Sequence, residues 1–190
     1  MARPRPILPV LLAATILLGG SLFAQRGRIP ESFSLSSTVP FENISKAARG
    51  ADGSFAVVFD SNKRIARTGA DGELIYLIPA RNDPEKGFLF ANEIAFDPTG
   101  NLYVASTYID TGTLTVNREA IVRFSPEGRP EAVLYSIEHA PEPYVDNIGT
   151  IRSLQWTPDG LRFCRVEADG IHAVRVDPAG GAPAEEAVTP

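Results

Sequence analysis

Three stretches of the chain alternate short apolar runs with acidic, glycine-containing turns in the same order. Superposing the first turn glycine of each brings the runs into register. They read "ISKAARGADGSFAVVFDSNKRIARTGADGELIYLI" (44–78), "FANEIAFDPTGNLYVASTYIDTGTLTVNREAIVRFSPEGRPEAVLYSI" (90–137) and "TIRSLQWTPDGLRFCRVEADGIHAVRVDPAGGAPAEEAV" (150–188). Each stretch predicts four strands. An opening strand (44–48, 93–96, 152–156) enters a turn at Asp52-Gly53, Thr99-Gly100 or Asp159-Gly160. Aspartate bonds its own backbone, proline presets φ and glycine accepts φ > 0, so these are hairpin corners. The second strands, "SFAVVF", "NLYVAS" and "LRFCRV", are mostly apolar on both faces, as in a strand that neighbouring sheets cover from both sides. "RIARTG", "AIVRFS" and "IHAVRV" follow as third strands. A second turn then leads to "ELIYLI" and "AVLYSI"; only "EEAV" remains for the third unit. No segment holds an apolar 3.6-residue period for three turns, which excludes a helical repeat.

The turn glycines Gly53, Gly100 and Gly160 are 47 and 60 residues apart, against roughly 40–50 for a propeller blade. The excess falls in "TYIDTGTLTVNREA", predicted to be a hairpin tip, and in the Pro-rich "EHAPEPYVDNIG", predicted to connect two units. The third unit breaks the pattern. Arg162 and Arg165 stand in its apolar strand, and a buried unpaired guanidinium is costly. Either the register slips so that both reach solvent, or this sheet is an exposed edge.

An arginine-flanked apolar leader precedes the repeats. "MARPRPILPVLLAATILLGGSLFAQRGR" sets Arg3 and Arg5 before an apolar stretch from Ile7 to Ala24, with Arg26 and Arg28 after it. This describes residues 1–28 as an export signal or, if retained, a hydrophobic helix anchoring the chain in a membrane. Both readings place the remainder outside the cytoplasm. Residues 29–43 form a linker or closing strand. The 18 basic and 23 acidic residues give a formal charge of −5 with no basic run, which argues against a nucleic-acid surface. The single cysteine, Cys164, excludes an internal disulfide and reads as a small core hydrophobe.

"NEIAFDPTGNLYVAS", "IVRFSPEG" and "SLQWTPDG" together resemble the NHL-repeat and gluconolactonase/regucalcin-like β-propellers across residues 44–188. The resemblance implies an all-β chain: a partial propeller of about three four-stranded blades (44–78, 90–137, 150–188). Three blades are fewer than the 4–8 that close a propeller. The chain is then an amino-terminal portion of a larger protein or a truncated reading frame, or closes with a second copy, or builds a fourth sheet from Ser32–Phe41 and its tail.

The resemblance also implies a cation, Ca²⁺ or another divalent ion, held by a Glu and several Asn or Asp in lactonase-like members. Asn92 occupies the position of the family's Asn in the middle unit, with Glu93 next to it; Ser45-Lys46 and Arg152-Ser153 stand at the corresponding positions in the others, so one ligand matches. A lysine and an arginine there would repel a cation, so no metal ligand or cofactor is assigned. Asp146 and Asn147, in the connection "YVDNIG", are the remaining ligand-binding candidates. Asp110-Thr111-Gly112 reads as a hairpin turn. His139 and His172 have no partners at zinc spacing, and no G-x-S-x-G nucleophile motif occurs. The expectation is an extracytoplasmic binding, sensing or scaffold module without catalysis, taking a protein or small-molecule ligand on its loop face. A metal-dependent lactonase-like hydrolase is the alternative.

Overall fold

A computed structural model of the chain describes residues 43–143, 150–179 and 181–186. These residues are all-β. The strands are β1 (Lys46–Arg49), β2 (Phe55–Phe59), β3 (Arg64–Thr68), β4 (Leu74–Pro79), β5 (Phe90–Phe96), β6 (Leu102–Asp110), β7 (Thr115–Phe124), β8 (Pro130–Pro143), β9 (Ile151–Thr157), β10 (Gly160–Glu167), β11 (Gly170–Val176) and β12 (Ala184–Glu186). They pair in chain order into three antiparallel four-stranded sheets, β1–β4, β5–β8 and β9–β12. Among the described residues no helix is long and apolar enough to cross a membrane. The apolar leader and residues 29–42 lie outside the described residues, so the export or anchor reading and the closing strand rest on sequence alone.

The corners form for the reasons the turn residues suggest. In the middle sheet Asp97 is 5% exposed and organises its own turn. It accepts from the Thr99 and Asn101 amides, both at 2.9 Å, and from the Tyr103 hydroxyl at 3.0 Å. Burial alone would raise its pKa, but these donors hold it below the ordinary carboxylate value. Gly100 takes φ 89° in this corner, and a Cβ there would stand 3.3 Å from Arg67 of the first sheet. Glycine is therefore required twice, for the turn and for the approach of the neighbour.

The sheets stand side by side, with β5 against both β1 and β9. Strand alternation splits the middle sheet between two cores. Leu102, Val104, Val122 and Phe124 pack with Ala56, Val58, Ile65 and Ile78 of the first sheet. Tyr103, Ala105 and Ile121 pack with Ile151, Leu161, Phe163 and Val174 of the third. Three sheets whose opening strands adjoin and whose faces bury one another fit a partial β-propeller.

Several expectations change. The middle unit's extra residues lengthen strands instead of forming loops: β6 and β7 pair as far as Asp110 and Thr115. β8 continues to Pro143, so half of the expected connection is strand, and His139 belongs to it. Pro141 and Pro143 are tolerated because β8 is the sheet's edge. The third sheet is complete, with a short β12. Arg162 and Arg165 do not both slip to solvent. Arg162 pairs with Arg175 on the face turned away from the middle sheet. Arg165 points toward the middle sheet, where it donates to the Tyr135 hydroxyl at 2.8 Å and Glu185 at 2.9 Å. Cys164 lies beside Ala173, half-buried on the outer face, instead of in a core.

Candidate functional site

The polar residues that open β1 and β5 meet where those strands adjoin. The pairing of β5 with β6 shifts between Ala91 and Glu93, so Asn92 is the bulged residue. A bulge re-aims side chains, and the Asn92 amide donates to Thr107 Oγ1 of β6 at 2.6 Å. Glu93 turns the other way, where Lys46 Nζ lies 2.9 Å from its Oε1. Lys46, expected to repel a cation, thus neutralises the carboxylate that would hold one. Asp146 and Asn147 lie outside the described residues, so only two of the four sequence candidates come together here.

One strand further out, Thr107 pairs directly with Glu119 of β7. Glu119 is 1% exposed, a carboxylate enclosed between the middle and third sheets. Both its oxygens accept from the Thr150 amide, at 2.8 and 2.9 Å, while the Thr150 hydroxyl and the Ile151 amide add 3.0 and 3.2 Å bonds. His139 Nε2 lies 2.9 Å away. Glu119 therefore ties the entry of the third sheet to the middle one, supplying acceptors for the amides at which β9 begins. Sequence reasoning missed it; its one signal is a lone acid at the start of the otherwise apolar "EAIV" run.

A second polar group caps the third sheet. Among the described residues, Glu167, Asp169 and His172 alone bring ligand atoms of three metal-binding side chains within 4.8 Å of one another. The β10–β11 hairpin makes this possible, because His172 folds back over the turn to lie 3.0 Å from Asp169 and 3.8 Å from Glu167. Hydrogen bonding to Asp169 raises the His172 pKa, and the same bond lowers that of Asp169. One nitrogen and two carboxylate oxygens suit a transition metal better than Ca²⁺. Arg165 competes for them, with Nε 2.6 Å from Glu167. This corrects the expectation that His172 has no carboxylates at ligand spacing. Asp110, by contrast, is the expected turn residue, accepting from the Gly112 and Thr113 amides at 2.7 and 3.0 Å.

No protein-family model matches the chain, and no curated protein does. Solved structures that it resembles include a protein from Lactobacillus plantarum, at 16% identity and a TM-score of 0.48. Another is described as a candidate 6-phosphogluconolactonase from Bacteroides fragilis, at 16% identity and a TM-score of 0.47. The likeness covers 82% of this chain but only 44% and 40% of those two chains.

Proposed function

We propose that the chain is an extracytoplasmic β-propeller-type module that binds or scaffolds a partner through its loop face without catalysis of its own. The observation that carries this reading is the engagement of the acids at the adjoining opening strands and the junction beside them. Glu93 faces Lys46, and Glu119 is enclosed by backbone and hydroxyl donors. A general base needs access to a substrate proton, and a Ca²⁺ site needs six or more oxygens. Neither carboxylate meets its requirement, and the residues around Glu93 do not fit the cation that lactonase-like relatives would imply. The arginine-flanked apolar leader supports a position outside the cytoplasm.

The second reading, a metal-dependent hydrolase, draws on the Glu167, Asp169 and His172 group. Thermal melting of the full chain with Ca²⁺, with Zn²⁺ and with chelator separates the two, combined with an assay of sugar-lactone hydrolysis. The module reading expects no turnover and a melting point indifferent to Ca²⁺. Mass action raises the melting point of a specific ion binder. A rise with metal, together with lactone turnover lost in Asp169→Asn, would establish the hydrolase instead.

A further inference from the structure

The first and third sheets each turn one face away from the middle sheet, and the two faces differ. On the third sheet that face carries Cys164, half-buried, with Val166 and Ile171, 45% and 59% exposed. On the first sheet Ala56, Val58 and Ile65 point into the core shared with the middle sheet. Strand alternation therefore puts Phe55, Val57 and Phe59 of β2, with Ala66 and Thr68 of β3, on the outer face. Phe55, Val57 and Phe59 are only 9%, 1% and 2% exposed, and Ala66 and Thr68 are fully buried. Among the described residues no sheet packs on this side; the partner of the first sheet is the middle one, on the opposite face. The structure is of one chain, so another part of that chain shields these side chains. The shield is narrow. Leu77 of β4 pairs beside Ala66 on the same face, yet it is 40% exposed. Where a whole sheet packs, the fourth strand is covered too, as Ile78 and Tyr135 are. Burial that spans β2 and β3 and stops short of β4 matches one extended segment, since neighbouring strands lie about 4.8 Å apart.

We propose that residues 32–41 lie across the outer face of the first sheet, with Phe33, Leu35, Val39 and Phe41 against β2 and β3. In "SFSLSSTVPF" these four apolar residues fall at odd positions, and Ser32, Ser34 and Ser36 at even ones. An extended segment of this kind has one apolar and one polar side. The chain also enters β1 at the right place. The Ser45 amide donates to the Val58 carbonyl at 3.0 Å, which sets the entry beside the Phe59 end of β2. Asn43, at φ 54°, turns the chain there. From Phe59 to Phe55 is about 13 Å of strand, and ten extended residues reach about 33 Å. Residues 144–149 join the middle sheet to the third, and residues 187–190 follow β12, about 14 Å of chain with the middle sheet in between. Neither fits this face. The segment thus covers the first sheet by itself, with no strand from the tail. Only residues 25–31 then link it to the apolar leader, at most about 25 Å of chain, so a retained leader would hold this side of the module at the membrane. The placement is independent of the loop-face reading above.

Two measurements on the full chain carrying Cys164→Ser test it. In the first, single cysteines are placed along the segment and treated with a maleimide under native conditions. Phe33→Cys, Leu35→Cys, Val39→Cys and Phe41→Cys should react slowly; Ser32→Cys, Ser34→Cys and Ser36→Cys should react fast. In the second, Val57→Cys reports on the covered face. Its thiol should react slowly, and at least about tenfold faster once Phe33→Ser and Leu35→Ser are added, because the cover then opens more readily. Protection of β10 and β11 against hydrogen exchange should stay unchanged, which separates loss of the cover from loss of the fold. Equal reactivity all along residues 32–41 would overturn the proposal. A Val57→Cys rate indifferent to the two serine substitutions would also overturn it, and would put the leader or another part of the chain on this face.

Discussion

The two junctions between sheets use one scaffold in opposite ways. "RIARTG" and "AIVRFS" place Arg67 and Arg123 at matching positions of β3 and β7, each facing the next sheet. Arg67 is 4% exposed. It donates to the carbonyls of Gly100 and Pro126 at 2.9 and 3.1 Å and lies over the Phe96 ring at 5.0 Å. Arg123 makes the corresponding reach, 3.2 Å to the Pro178 carbonyl, but stays 27% exposed and pairs with Glu131. In the first junction the buried charge is thus a cation at the turn end. In the second it is an anion, Glu119, where β9 begins. The second junction fills its turn end with rings, Tyr103 against Trp156 at 5.5 Å and Tyr135 against Phe163 at 4.9 Å. A repeated arginine therefore clamps one sheet to the next, and its contribution depends on how far water is kept from it.

Arg67→Ala should break this contrast most severely. It unpairs two turn carbonyls and empties a buried site, so urea unfolding should show a loss of about 3 kcal/mol. Arg67→Lys should recover only part of it, because a point charge cannot span two carbonyls and a ring. Glu119→Ala should follow, at about 2 kcal/mol, since the Thr150 and Ile151 amides lose their acceptors in a dry place. Limited proteolysis should then cut first near residue 150. Arg123→Ala tests the matching position. Its partial exposure limits the loss to below about 1 kcal/mol, and an effect equal to that of Arg67→Ala would erase the distinction between the junctions.

The smallest effect concerns the outer rim of the third sheet. His172 has a raised pKa, so its protonated form favours the folded chain. That contribution is complete below the unfolded histidine value of about 6.5 and fades as pH rises through the higher folded value. The lowered Asp169 works in the other direction, its contribution fading as pH falls into the acid range. Melting points of the parent and His172→Asn should therefore converge above neutrality and separate at mildly acidic pH.

Strand order was legible because each second strand is an apolar run set off by Asp and Gly, a local signal that the packing reinforces. Strand length in the middle sheet was not. Prolines 141 and 143 read as loop until β8 is known to be an edge. The Asn92 and Glu93 positions could be found from the repeat, yet the chemistry of Glu93 depended on Lys46, 47 residues earlier in the chain. Arg67 and Glu119 were hidden for the same reason. The backbone groups that each engages, in turns and at a strand start, lie more than thirty residues away, and a backbone group carries no letter. The Glu167, Asp169 and His172 group became visible only when the hairpin folded His172 over its own turn.

The middle sheet is held by a buried arginine, Arg67, on one side and a buried carboxyl group, Glu119, on the other. Native-state hydrogen exchange with peptide-level mass spectrometry tests it most directly. Arg67→Ala should speed exchange in β2, β3 and the turns at 97–101 and 125–129 while leaving β10 and β11 protected; Glu119→Ala should open the start of β9 and spare β2 and β3. Uniform acceleration across all three sheets in both variants, or no change at either junction, would contradict it.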